Sequence, residues 1–135
     1  MSSTTLVKTA RTVVASVSRA AADTPASPTF GRLDLTTAQG GILTMKITNS
    51  GTLGAQCVGT VLVAHNATQP AAGVAGTDWK TLWSFGGGLT SGVVTEQSMT
   101  VDPGVMQLEV MFNGNTTSAA VVEAYFSEIT SAATA

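Results

Sequence analysis

From Gly41 to Thr48 the chain alternates Leu43, Met45 and Ile47 with Thr44, Lys46 and Thr48, the period of two that gives a β-strand one apolar and one polar face. Asn49-Ser50-Gly51 then supplies the residues of a tight turn. Val105 to Phe112 repeats the pattern, with Met106, Leu108, Val110 and Phe112 on one face and Gln107, Glu109 and Met111 on the other. Turn formers bracket it, Asp102-Pro103-Gly104 before and Asn113-Gly114-Asn115 after. The next run, Ser118 to Ile129, reads as its hairpin partner. Gln56 to His65 is apolar on both faces, the pattern of a central strand. In Trp79 to Phe85, strand periodicity places Trp79, Thr81, Trp83 and Phe85 on one face. Gly92 to Val101 and Thr29 to Leu35 supply two more strands.

The N-terminal stretch fits two periods, since Leu6, Ala10, Val13, Val14, Val17, Ala20 and Ala21 also follow helical spacing. The β-branched Thr9, Thr12, Val13, Val14 and Val17 decide for a strand, because their stiff side chains favour the pleated backbone. Asn66 to Asp78 and Phe85 to Gly92 have no strand period and are loops. The sum is an all-β, about eight-stranded antiparallel sandwich or barrel. It forms one domain over 1–135, with loose ends at about 1–5 and 130–135.

Composition adds that only 10% of residues are charged, against ~25% in typical soluble domains. The formal charge is -2, with six Lys and Arg set against eight Asp and Glu, so there is no cationic face for nucleic acid. Scaling area with mass gives roughly 6,500 Å² of surface, hence on the order of 450 Å² per charge. Thr, Ser, Gly, Ala and Asn must cover the outside, and such a surface is cheap to desolvate against a protein neighbour. A secreted domain that tolerates a Thr-rich surface has the same composition. No apolar run approaches the ~18 residues of a membrane span, and the first residues lack the pattern of a secretory signal, so function without membrane insertion or export is expected.

Catalytic chemistry has little to draw on. His65 is the only histidine and Cys57 the only cysteine; along one strand they would stand roughly 26 Å apart. Zinc needs more Cys or His than this. Asp23, Asp34, Asp78 and Asp102 fall at strand ends or in loops, where two of them and backbone carbonyls are candidate calcium ligands, or simply solvated carboxylates. Glu109 and Glu123 would face each other across the predicted hairpin. Gly86-Gly87-Gly88 lacks the Lys and Ser/Thr of a phosphate loop. Asn66-Ala67-Thr68 and Asn115-Thr116-Thr117 are glycosylation sequons that mean little without export. Trp79 and Trp83, about 13 Å apart on one strand face, are candidate contacts: a platform for successive sugar rings, or plugs of the core or of a subunit interface. No catalytic residue, cofactor or metal is expected.

The stretches Val7 to Ala15 (VKTARTVVA), Gly31 to Ile47 (GRLDLTTAQGGILTMKI), Gly76 to Trp83 (GTDWKTLW) and Asp102 to Val110 (DPGVMQLEV) resemble the small β-sandwich proteins of tailed bacteriophages, especially the head-decoration or capsid cement class. The resemblance implies a jelly-roll-like sandwich made in the host cytoplasm and carried on the outer surface of the capsid. It further implies a homodimer or homotrimer that clamps neighbouring major capsid proteins, with no nucleic acid or membrane as partner. A tail, baseplate or fibre component, or a receptor- or glycan-binding module using Trp79 and Trp83, is the alternative.

Overall fold

A computed structural model describes residues 4–21, 29–71 and 78–134. Eight strands follow one another: β1 (Thr4–Arg19), β2 (Thr29–Asp34), β3 (Gly41–Asn49), β4 (Val58–Ala64), β5 (Lys80–Gly86), β6 (Val94–Val101), β7 (Gln107–Asn113) and β8 (Ala120–Thr134), with no helix among the described residues. They form two antiparallel sheets, ordered β1-β8-β3-β6 and β2-β7-β4-β5. Only β4 and β5 are sequence neighbours paired in one sheet; every other connection crosses between sheets. That order is a jelly roll, the two-sheet solution to covering strand faces.

The alternation read from the sequence fills the space between the sheets. Leu43, Met45 and Ile47 of β3 and Val122, Ala124 and Phe126 of β8 face Val61 of β4 and Leu108, Val110 and Phe112 of β7, all at 1% exposure or less. The N-terminal stretch is the strand β1, and the apolar β4 is interior to its sheet. At the β1/β2 edge the sheets are pinched together, because a side chain on Gly31 would run into the Val13 carbonyl. The total accessible surface is 6795 Å², close to what mass alone gives, so charge on the outside is as sparse as the composition suggests.

Two expectations are corrected. β7 and β8 are not a hairpin: β7 lies between β2 and β4, and β8 between β1 and β3, in the other sheet. Alternation tells which way a side chain points and not which sheet its strand joins, and here the short connection arches across from one sheet to the other. Second, Trp79 does not share a face with Trp83. The register pairs Val61 with Trp83 but Leu62 with Thr81, so Leu82 is an extra residue that reverses the phase of the strand. β1 and β8 pair from Thr4 with Thr134 to Arg19 with Ala120, with three irregularities. Residues 1–3 and 135 lie outside the described residues.

Candidate interaction surface

The bulge at Leu82 splits the aromatic residues of this strand between two environments. Trp83 and Phe85 turn inward at the sheet edge and stack with ring centroids 5.2 Å apart, partly buried against the main core. Trp79 turns outward and is nevertheless buried with Leu62 and Ala64, Met111 packing alongside. What covers it is the segment after β4, which folds back over the outside of the β2-β7-β4-β5 sheet. The Trp79 indole N–H donates to the Ala71 carbonyl at 2.7 Å, Gln107 donates to the Asn66 carbonyl at 3.1 Å, and Arg32 donates to the Pro70 carbonyl at 2.9 Å. This lid explains why Gln107 and Glu109, polar and outward-facing, are fully buried. The two tryptophans therefore form no common platform.

The remaining candidate groups are dispersed. Cys57 is buried just before β4 and His65 is exposed just after it, so the whole strand separates them. Burial pushes the Cys57 thiol up to about 11, against a smaller downward pull from Arg19, and at neutral pH it is protonated and a poor nucleophile. Glu109 and Glu123 stand on the outer faces of opposite sheets, not across a hairpin. Asp34 is held below its ordinary value by hydrogen bonds from its neighbour Thr36, a local turn. Among the described residues no group of three or more His, Cys, Asp or Glu is placed to hold a metal ion. Asp23 lies outside the described residues. Of the two sequons, Asn115 is buried with its amide engaged, so the folded chain hides it.

Two surfaces remain. The outer face of the β1-β8-β3-β6 sheet carries a short polar ladder: Thr44 and Ser98 hydroxyls hydrogen-bond at 2.7 Å, Lys46 reaches Glu123 at 3.5 Å, and the Tyr125 hydroxyl donates to Glu123 at 2.9 Å. That contact also raises the Tyr125 phenol above its ordinary value. Such exposed pairs contribute little to stability.

The second surface is the end of the sandwich where the β3–β4, β5–β6 and β7–β8 connections meet. Backbone bonds tie them into one piece: Leu53 N–H to the Leu89 carbonyl at 2.9 Å, Gly54 N–H to the Thr116 carbonyl at 3.1 Å, and Ser50 N–H to the Ala119 carbonyl at 3.0 Å. Two buried amides lock the assembly. Asn49 donates to the carbonyls of Gly87, Gly88 and Thr90. Asn115 accepts from Arg19 Nε at 2.8 Å and donates to the carbonyls of Arg19, Ala20 and Ser118. Residues 49–57, 86–95 and 113–122 contain no Asp, Glu, Lys, Arg or His, although the buried Arg19 at the end of β1 lies against them, bonded to Asn115. At the usual ~25% charged fraction they would hold about seven. No sequence motif marks this surface, because it forms only when topology brings distant stretches together.

No protein-family model matches the sequence, and no curated protein matches it significantly. Among solved structures the chain is similar to the K3 adhesin domain of Lys-gingipain from Porphyromonas gingivalis, with 17% identity over 86% of this chain and 74% of that one and a TM-score of 0.54. It is similar to a family 29 carbohydrate-binding module from Piromyces equi at 15% identity, covering 89% of this chain and 90% of that one, with a TM-score of 0.48. A third is tailspike protein 4 of bacteriophage CBA120, 12% identical, where 92% of this chain matches 19% of the other at a TM-score of 0.41. At these identities the likeness is one of fold, the β-sandwich.

Proposed function

We propose that the chain is a structural protein of a bacteriophage virion, a cement or decoration protein that sits on the outside of the head and ties neighbouring major capsid proteins together. The observation that carries this reading is the sparseness of charge over the whole chain, 10% of residues. Apolar and neutral hydrogen-bonded contacts keep their strength when salt changes, whereas exposed ion pairs are screened. A protein that must hold a shell together by many modest contacts gains from surfaces that are cheap to desolvate, and repetition over symmetry-related copies multiplies the effect through local concentration. The jelly roll suits the role, being a fold used for viral capsid domains and lectins alike. As a homodimer or homotrimer the chain would bring several copies of its contact surface to one capsomer.

The receptor- or glycan-binding alternative rested on Trp79 and Trp83 acting together, and their separation by the Leu82 bulge removes its structural motive. The deciding experiment adds the purified chain to empty expanded heads produced by the genome that encodes it. Saturation at a fixed copy number per capsomer is expected. Antibody labelling confined to the tails of intact particles would overturn the head assignment.

A further inference from the structure

We infer that the free edge of β6 is where two copies of this chain join, strand against antiparallel strand, about a two-fold axis at Gln97. The inference deepens the function proposed above by naming the interface of its oligomer, and it rests on that reading only for the expectation of a homodimer. Four strands lie at sheet edges, β1 and β6 in one sheet and β2 and β5 in the other. An edge presents unpaired N–H and C=O groups, and proteins ordinarily interrupt it with bulges, charged residues, Pro or shortness. Three of the four edges are interrupted here. β1 has three register irregularities and carries Lys8 and Arg11; β5 has the bulge at Leu82 and carries Lys80; β2 is six residues long and holds Arg32 and Asp34. β6 instead pairs with β3 from Val94 to Val101 without a break, and its sequence VTEQSMTV contains no Pro, Lys or Arg. Val94, Glu96, Gln97, Ser98 and Thr100 along it are exposed.

Bonds just before the strand fix which backbone groups face outward. The Asn49 N–H donates to the Val93 carbonyl at 3.0 Å and the Gly92 N–H to the Asn49 carbonyl at 2.9 Å, so the Val93 carbonyl points to β3. Direction alternates along an antiparallel strand. The groups of Thr95, Gln97 and Met99 therefore also point to β3, and those of Val94, Glu96, Ser98 and Thr100 point away from the sheet. These four stand symmetrically about Gln97. A second copy turned by a two-fold axis normal to the sheet sets Val94 opposite its Thr100 and Glu96 opposite its Ser98, which pairs all four residues of each strand through about eight bonds. Centring the axis on Glu96 or Ser98 instead leaves Thr100 or Val94 beyond the end of the other strand, with about six bonds.

Side chains agree with this register. Residues directly opposite in an antiparallel pair share a face, and like charges there would oppose self-pairing. Glu96 is the one charged residue of β6, and it meets Ser98 of the second copy rather than another Glu96. The Ser98 hydroxyl bonds Thr44 at 2.7 Å on that face; accepting from Thr44, it can donate to the carboxylate opposite. Lys46 stands beside Glu96 in the register of β3 with β6, so each copy brings its own cation to the seam. On the other face Thr95 meets Met99 of the second copy, both half-buried. An unrelated strand would use the same backbone groups, but it would give β6 no reason to match itself about Gln97.

Sedimentation velocity of the full-length chain over a concentration series should show a dimer. Ser98→Pro deletes an N–H that faces the free edge, so the monomer keeps its bonds to β3, and dimerisation should weaken at least about tenfold. If that variant does not fold, Gln97→Lys sets two ammonium groups opposite each other at the axis and should weaken dimerisation as much. Under mild oxidation Gln97→Cys should give a disulfide-linked dimer, because partners in a non-hydrogen-bonded pair stand about 4.5 Å apart at Cα. Ser98→Cys, which faces Glu96 of the second copy, should not. A parent that stays monomeric, a trimer, or a dimer that Ser98→Pro and Gln97→Lys both leave intact would overturn the inference; so would linkage through Ser98→Cys in place of Gln97→Cys. A monomeric parent whose binding to the empty heads is lost with Ser98→Pro would give the edge to a capsid strand rather than to a second copy. A parent that dimerises through Gln97→Cys-linkable edges and binds no heads would overturn the capsid role and leave the interface standing.

Discussion

Trp79→Ala is expected to destabilise the protein by about 3–5 kcal/mol, the range for removing a buried aromatic, and to loosen the segment 66–71 that covers the β2-β7-β4-β5 sheet. The indole is 1% exposed and its N–H is the bond that fastens the lid at Ala71. Its loss would leave both a cavity and an uncovered outer face. Trp83→Ala, four residues further along the chain but on the other side of the sheet, should cost about 1–2 kcal/mol, because that ring is partly exposed and mainly stacks on Phe85. Urea unfolding of the two variants measures the difference. Equal losses would mean that the bulge at Leu82 does not separate the two residues as described.

The second large effect falls at the end of the sandwich where the β3–β4, β5–β6 and β7–β8 connections meet. Asn115 is fully buried, and its side chain bonds to Arg19 Nε and to three carbonyls on two connections. Asn115→Ala removes all four bonds at once and strands buried polar groups that water cannot reach. About 2–4 kcal/mol of stability should disappear, with a matching fall in melting temperature. Asn115→Asp keeps the acceptor for Arg19 and loses the donors, so it should lie between the parent and the alanine variant. A change below about 0.5 kcal/mol for Asn115→Ala would show that the loops are held by their backbone bonds alone.

What the sequence makes legible follows from local physics. Period-two alternation identifies β3 and the inward residues of β7, and β-branching settles β1 as a strand although its apolar spacing also suits a helix. Apolar residues on both faces of β4, Val61 to Ala64 above all, mark it as interior. Each of these depends on residues a few positions apart. The sheet partner of β8 does not, since residues 114–119 serve equally well as a turn or as an arch between sheets. One extra residue at Leu82 leaves no compositional trace, yet it moves Trp79 from the inner face to the outer one. Gln107 and Glu109 look like solvent-facing residues until the lid closes over them.

Salt dependence tests the central claim most directly, that this sandwich joins protein neighbours through neutral contacts. Affinity for empty heads, measured by co-sedimentation at 0.05 M and at 1 M sodium chloride, should change by less than about threefold, since the Debye length shrinks to about 3 Å at the higher salt and only ion pairs feel it. A loss of tenfold or more over that range would contradict the account, placing the binding on the charged residues instead.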